Sequence, residues 1–205
     1  KKVGAVFNKE ISFFMDYSDL NRTRSNSIFF RRDKFETNLN MESKRIVCKY
    51  EELKHTLNAY LKLADIKFPR LLPSFSTEDS AREVAVAMHD ELYPEGKREK
   101  KTFLKALINK LADKNVFVFE FVETWNKKEK ANVDGFFIEP NVIVLKRNQS
   151  SFSREIFSLA HELGHCLLNK EEVETIDLAD KKDDSENDVE KWCNDFAFYF
   201  LAGEW

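Results

Sequence analysis

Cysteine is scarce in this chain, and long apolar runs and an excess of positive charge are missing. The three cysteines are odd in number and form no C-x-x-C pair, a pattern typical of a reducing compartment, so we expect a cytoplasmic protein. No apolar run is long enough to span a membrane, and we expect no membrane partner. The 33 lysines and arginines are balanced by 36 aspartates and glutamates, and a net charge of −3 does not indicate a nucleic-acid-binding protein.

The length of 205 residues is enough for one domain with a sizeable core and an appended helical region. Apolar residues at helical spacing predict a long helix over residues 43–66, and Pro69 and Pro73 then indicate a linker. We therefore place an N-terminal region at residues 1–72 and the main domain at residues 73–205. Because the first residues lack both an initiator methionine and a signal-peptide core, we expect a fragment of a longer protein.

Helices and strands alternate in the main domain. Apolar patterns predict helices over residues 81–92 and 103–111, a strand over residues 116–122 and a hairpin over residues 135–145 that turns at Glu139-Pro140-Asn141. This order predicts an α+β fold, in which a small mixed or antiparallel sheet packs on a later buried helix.

The segment His161-Glu162-Leu163-Gly164-His165 carries the clearest chemical signal. Positions i and i+4 of a helix lie on the same face, so the two imidazoles can reach one metal ion. Glu162 is one step round the helix, where its carboxylate can reach a water on the metal without being a ligand. Two of only four histidines fall in this pattern. It predicts a zinc-hydrolase site; the alternative is a buried helix with two hydrogen-bonded core histidines.

The helix around this motif has an unexpected glycine and a predicted cap. Gly164 costs about 1 kcal/mol relative to alanine inside a helix, so we expect another backbone or the surroundings of the metal to approach it closely. Ser153 is the predicted N-cap, with Phe152 packed on Phe157 as a hydrophobic staple. Cys166 points away from the ligand face, and we expect it to be a packed thiol.

A catalytic zinc needs a third protein ligand, and two glutamates are candidates. The stretch from Glu171 to Glu190 contains ten carboxylates and is expected to be mostly a solvated loop before the last helix. Glu190 lies at the edge of the apolar face of that helix, whereas Asp195 is on the opposite side. A carboxylate that borders a buried face needs a partner, which zinc would supply. Glu186 shares the face one turn earlier; for either glutamate, a salt bridge or a helix-start charge is the alternative.

Two separated motifs resemble those of the ImmA/IrrE-type zinc metallopeptidases. Residues 157–165 are similar to the family segment F-T-L-A-H-E-L-G-H, and residues 190–197 are similar to E-x-x-A-N-x-F-A, with Cys193 in place of alanine. Residues 135–145 also resemble the hairpin that precedes the metal helix in the family. The resemblance covers roughly residues 78–202 and implies a zincin-like core. Phe13-Phe14 and Ile28-Phe29-Phe30-Arg31 resemble the segment that follows the DNA-binding domain of many members, a domain that this sequence does not contain.

The resemblance implies a zinc-dependent endopeptidase, in which Zn²⁺ is held by His161, His165 and Glu190 and in which Glu162 is the general base. The implied substrate is a transcriptional repressor, cut to release a stress-response programme, with no direct binding of nucleic acid by this segment. The alternative is a zinc-containing regulatory module that sequesters a repressor without cutting it. The oligomeric state and the donor to the oxyanion stay open. We further expect the strand at residues 142–145 to offer an edge to which an extended substrate adds.

Overall fold

The computed structural model describes residues 39–96, 99–122, 130–147, 151–170, 173–175 and 184–203. Within these residues the elements are α1 (Met41–Leu63), α2 (Ala81–Leu92), α3 (Lys100–Asp113), β1 (Phe117–Val122), β2 (Val133–Ile138), β3 (Val142–Arg147), α4 (Phe152–Leu168), β4 (Val173–Thr175) and α5 (Asp184–Ala202). The predicted α+β class is confirmed. The apolar and basic segments noted before residue 39 lie outside the described residues.

The described residues divide into two compact units, of which the first contains residues 39–67, 130–133 and 175. Its main described element is α1, which begins after an N-cap, because the Asn40 side chain accepts a hydrogen bond from the Ser43 backbone N–H (2.9 Å). The Ser43 hydroxyl donates to Asn132 Oδ1 (2.8 Å) and accepts from the Asn132 backbone N–H (2.9 Å). These bonds hold the described residues before β2 against the start of α1.

The sheet belongs mainly to the second unit and has the strand order β1-β3-β2-β4. β1 runs parallel to β3, and β2 and β3 form the predicted antiparallel hairpin, with Gly135 opposite Leu145. All six residues of β2 are buried, so both faces of this strand are covered. The predicted mixed sheet is thus confirmed. Because β3 lies between β1 and β2, both of its edges are paired, and the prediction of a free edge at residues 142–145 is wrong.

Helix α4 is the central element of the second unit and packs on β3, α3 and α5. Every residue from Ser158 to Leu168 is buried, as expected for a helix that is covered on all sides. The predicted N-cap at Ser153 is wrong: the helix begins at Phe152, and the Ser151 side chain accepts from the Arg154 backbone N–H. With this cap Phe152 is the first helical residue, so Phe152 and Phe157 are not at the two positions that a staple requires.

The C-terminal end of α4 is covered by residues 70–75, which lie in the stretch that Pro69 and Pro73 predicted to be a linker. The guanidinium of Arg70 donates to the Cys166 carbonyl, to Asn169 Oδ1 (2.7 Å) and to Ser74 Oγ (2.6 Å). A cation at this position also interacts favourably with the helix dipole. The Phe75 backbone N–H donates to the last turn of α4 (2.9 Å). Residues 70–75 are therefore bound to the helix that carries the histidine motif.

Helix α5 packs along α4 on one side and α2 on the other. Trp192, Phe196 and Phe200 follow one another at helical spacing, are buried and have stacked rings. The Trp192 indole N–H donates to the Asp79 carbonyl just before α2 (2.7 Å). These contacts fix the position of α5 and of the polar side chains on the same helix. None of the described helices combines the length and the apolarity that crossing a membrane requires.

Candidate metal centre

The buried α4 helix brings the two motif histidines together on one face. Their Nε2 atoms are 3.0 Å apart, and the side chains of His161 and His165 are almost completely shielded from solvent. The rings meet edge to face, with centroids 4.8 Å apart. The i, i+4 spacing therefore makes two imidazole nitrogens converge on one point, as the sequence predicted.

Helix α5 supplies a carboxylate to the same point. Glu190 Oε2 is 3.5 Å from His161 Nε2, and Glu190 Oε1 is 3.5 Å from His165 Nε2. Ligands about 2.0–2.2 Å from one tetrahedral ion lie about 3.3–3.6 Å from one another. The two nitrogen–oxygen distances fall in this range, each to a different oxygen of Glu190, and the two Nε2 atoms are closer together, at 3.0 Å. Two imidazoles with one carboxylate are a donor set that suits zinc. The three residues thus form a group that could hold a metal ion.

The orientation of the first histidine is set by a residue that the sequence analysis did not assign. His161 Nδ1 donates to Asn194 Oδ1, one turn after Glu190 on α5, over 3.1 Å. A proton held on Nδ1 leaves the lone pair of Nε2 available to a metal. The i, i+4 spacing between Glu190 and Asn194 was the available signal, because it puts both side chains on the same side of α5.

Glu162 lies against the sheet. Its side chain is fully buried and rests on Gly135 of β2: a Cβ built on that glycine would be only 3.0 Å from Glu162 Cγ and Oε1. The sequence pattern assigns Gly135 only to the hairpin and does not connect it with Glu162. An isolated glycine inside a strand was the available signal, because it often marks a close approach of another group.

The glycine inside α4 has the predicted cause. A Cβ on Gly164 would lie 3.2 Å from Cα, Cβ and Sγ of Cys193, so the backbone of α5 passes directly over this position. The contact lets α4 and α5 approach closely one turn from Glu190. Gly164 is therefore part of what brings the carboxylate to the two imidazoles.

Substitution of this glycine by alanine is expected to destabilise the protein. Alanine gains up to about 1 kcal/mol from helix propensity, but overpacking costs about 1–3 kcal/mol, and here a backbone atom must move. A net loss of about 1 kcal/mol would lower Tm by about 2–4 °C in thermal unfolding of the metal-free protein. Cys193→Ala in the Gly164→Ala background removes the sulfur and should recover part of the loss. A Tm at or above that of the wild type would contradict the packing argument.

Among the described residues, the group of candidate ligands contains only His161, His165 and Glu190. The Glu186 side chain is among those not described. Burial raises the pKa of the Cys166 thiol to about 11, with Arg70 acting in the opposite direction, so Cys166 is the packed thiol that was expected. Tyr199 packs under the Arg82 guanidinium. His89 stacks on the Tyr93 ring with centroids 4.1 Å apart.

Comparison with known proteins agrees with the site. Residues 115–202, from the start of the sheet to the end of α5, match the model of the Peptidase_M78 family, described as the IrrE N-terminal-like domain. This match confirms the resemblance seen in the two motifs. No curated protein and no solved structure gives a significant match to the chain. The family and the cluster of His161, His165 and Glu190 together indicate a metallopeptidase-like protein with a metal-binding site.

Proposed function

We propose that this protein is a zinc-dependent endopeptidase with His161, His165 and Glu190 as metal ligands. The observation that carries the proposal is the convergence of two imidazole nitrogens and one carboxylate from two helices, with Glu162 on the same turn as the first histidine. Three ligands leave one tetrahedral position open, as in catalytic rather than structural zinc sites. The zincin-like description of the core is part of the same proposal.

When bound there, zinc would polarise the peptide carbonyl and lower the pKa of a water molecule to about 7. The Glu162 carboxylate would accept a proton from the attacking water and would give it to the amine that leaves when the peptide C–N bond breaks. Asn194 keeps the proton of His161 on Nδ1, so Nε2 stays available. The burial of the two histidines and Glu162 excludes bulk water from this side of the site, which strengthens each of these electrostatic interactions.

The proposed substrate is a DNA-binding transcriptional repressor, cut in the cytoplasm as part of a stress response. This proposal is supported by the ImmA/IrrE-type motifs and the match to the IrrE N-terminal-like domain. A protein substrate also agrees with a chain in which neither composition nor net charge favours nucleic acid as the direct partner.

The full chain is tested by loading it with zinc, removing the metal with a chelator and mixing each form with a panel of DNA-binding repressors. We expect about one zinc per chain, since three ligands define one site, and we expect repressor fragments only with the zinc-loaded form. Zinc added back to the chelated protein should restore cleavage. Metal content is measured by atomic spectroscopy and the fragments by mass spectrometry.

Two outcomes of this experiment, and a separate spectroscopic measurement, distinguish the candidate functions. Cleavage that depends on zinc supports the endopeptidase. An intact repressor that co-elutes with the zinc-loaded chain would instead support the regulatory module that sequesters its partner. A fourth protein ligand, detected by spectroscopy of the cobalt-substituted protein, would contradict a catalytic site, because no position would be left for water.

A further inference from the structure

Gly135 is the one glycine of the described sheet strands, and its backbone conformation does not require glycine. It lies within β2, opposite Leu145 of β3, in the regular antiparallel ladder. Its φ is outside the left-handed region that favours glycine. A glycine in the interior of a strand weakens the strand, because it loses conformational freedom and offers no side chain to pack. The reason for glycine must therefore be space.

The space above Gly135 is filled by the side chain of Glu162. A Cβ at residue 135 would be 3.0 Å from Glu162 Cγ, 3.0 Å from Oε1 and 3.3 Å from Cδ. Carbon atoms in favourable contact are about 3.5–4.0 Å apart. The clash involves Cγ as well as the carboxylate, so a rotation of the terminal carboxylate alone would not relieve it. Glu162 Cγ would also have to shift, and the carboxylate would shift with it.

The strand and the helix that carry these two residues are linked directly by an ion pair and indirectly through β3. Asp134, the residue before Gly135, pairs with Arg154 in the first turn of α4 (2.6 Å). β2 is also paired with β3, on which α4 packs. Because β2 and α4 are linked in this way, an added Cβ is expected to displace the Glu162 side chain rather than separate the two elements.

We propose that Gly135 is a positioning residue for the base: the missing side chain provides the space in which the Glu162 carboxylate lies and so fixes how far it reaches. The proposal rests on the function proposed above, in which Glu162 handles the proton of the attacking water. Gly135 itself touches neither substrate nor metal. It acts through Glu162, and its replacement should change turnover without changing the affinity for metal.

The test compares Gly135→Ala, Glu162→Asp and the double variant, each loaded with zinc. Gly135→Ala should lower kcat by up to about 100-fold, the cost of misplacing a reacting group by about 1 Å, with KM and zinc affinity close to wild type. Aspartate is one methylene shorter and vacates the space that the alanine would occupy. Adding Gly135→Ala to Glu162→Asp should therefore cost far less than adding it to the wild type.

Gly164→Ala is the matched control, because it is also a glycine-to-alanine change at a tight contact on α4. That contact is with Cys193 of α5, near the ligand Glu190, so Gly164→Ala should weaken zinc binding more than it lowers kcat at saturating zinc. Gly135→Ala should instead lower kcat more than it weakens zinc binding. If both substitutions acted only by disturbing the fold, the two variants would not show opposite effects on zinc affinity and on kcat.

The proposal is overturned if Gly135→Ala keeps kcat within about twofold of wild type. It is also overturned if Gly135→Ala lowers kcat in the Glu162→Asp background by as much as in the wild type, up to about 100-fold. Should Gly135→Ala alone fail to fold, the double variant is compared with Glu162→Asp, and a kcat of the double variant about 100-fold below that of Glu162→Asp decides against the proposal. Full activity of a Glu162→Gln variant would instead overturn the proposed function. The two failures are therefore distinguishable.

Discussion

Replacement of Glu162 by glutamine is expected to lower peptide hydrolysis by about 10²–10⁴-fold, the usual contribution of a general acid–base group. Glutamine has nearly the same shape as glutamate and fits the space over Gly135, but its amide cannot accept the proton of the attacking water. Zinc content should stay at the wild-type level, because Glu162 is not part of the cluster of ligand atoms. The measurements are kcat/KM of the zinc-loaded variant and its metal content.

The control for this variant is Glu83→Gln. Glu83 lies in the first turn of α2 and is exposed, so its neutralisation removes the same charge without touching the candidate site. It should leave both turnover and zinc content unchanged. Unchanged turnover in Glu162→Gln would contradict the general-base assignment, and loss of zinc from that variant would show that Glu162 also contributes to metal binding.

The parts of the site that could be predicted from the sequence are those set by local geometry. The spacing of His161 and His165 fixes their common face as soon as the segment is helical, because the helical repeat requires it. The same argument put Glu190 at the edge of the apolar face of α5 and Asp195 on the other side, and Asp195 is indeed exposed. The convergence of Glu190 with the histidines followed only from the resemblance of the two motifs to a known family.

The parts that could not be predicted depend on contacts between distant segments. Strand order is one of them: residues 142–145 have the apolar run of a buried strand, but the pattern does not say whether β1 covers its free edge. The contact between Gly135 and Glu162 is another, because it joins a strand and a helix that the sequence separates. The cap at Ser151 instead of Ser153 is a local error, since two serines two residues apart both satisfy the rule for an N-cap.

The position of Asn194 shows how a local pattern acquires a role only in three dimensions. Its i, i+4 relation to Glu190 was visible in the sequence. Its partner, however, is a histidine on another helix, and α5 reaches that histidine because Gly164 permits the close approach of Cys193. Gly164 thus permits the close approach of α5, which carries both Glu190 and Asn194, the residue that orients His161.

Replacement of Glu190 by glutamine is expected to lower zinc affinity by more than about 100-fold, which exceeds the range of about 10–100-fold for loss of an outer hydrogen-bond partner. The variant keeps the size of the buried side chain but removes the negative charge, so two neutral imidazoles and an amide would have to hold a dication. Competition with a chromophoric chelator measures the affinity. Asn194→Ala is the graded comparison and should cost about 10-fold, because this amide orients His161 from a solvent-exposed position.

Two further variants locate the third ligand on α5. Asp195→Asn removes an exposed carboxylate from the same helix and should leave the affinity unchanged. Glu186→Gln removes the competing carboxylate one turn earlier and should also leave the zinc affinity unchanged. Glu190 already has one carboxylate oxygen 3.5 Å from His161 Nε2 and the other 3.5 Å from His165 Nε2. If Glu186→Gln rather than Glu190→Gln releases the zinc, the ligand lies one turn earlier on α5, and the geometry of the metal-loaded site differs from the one described here.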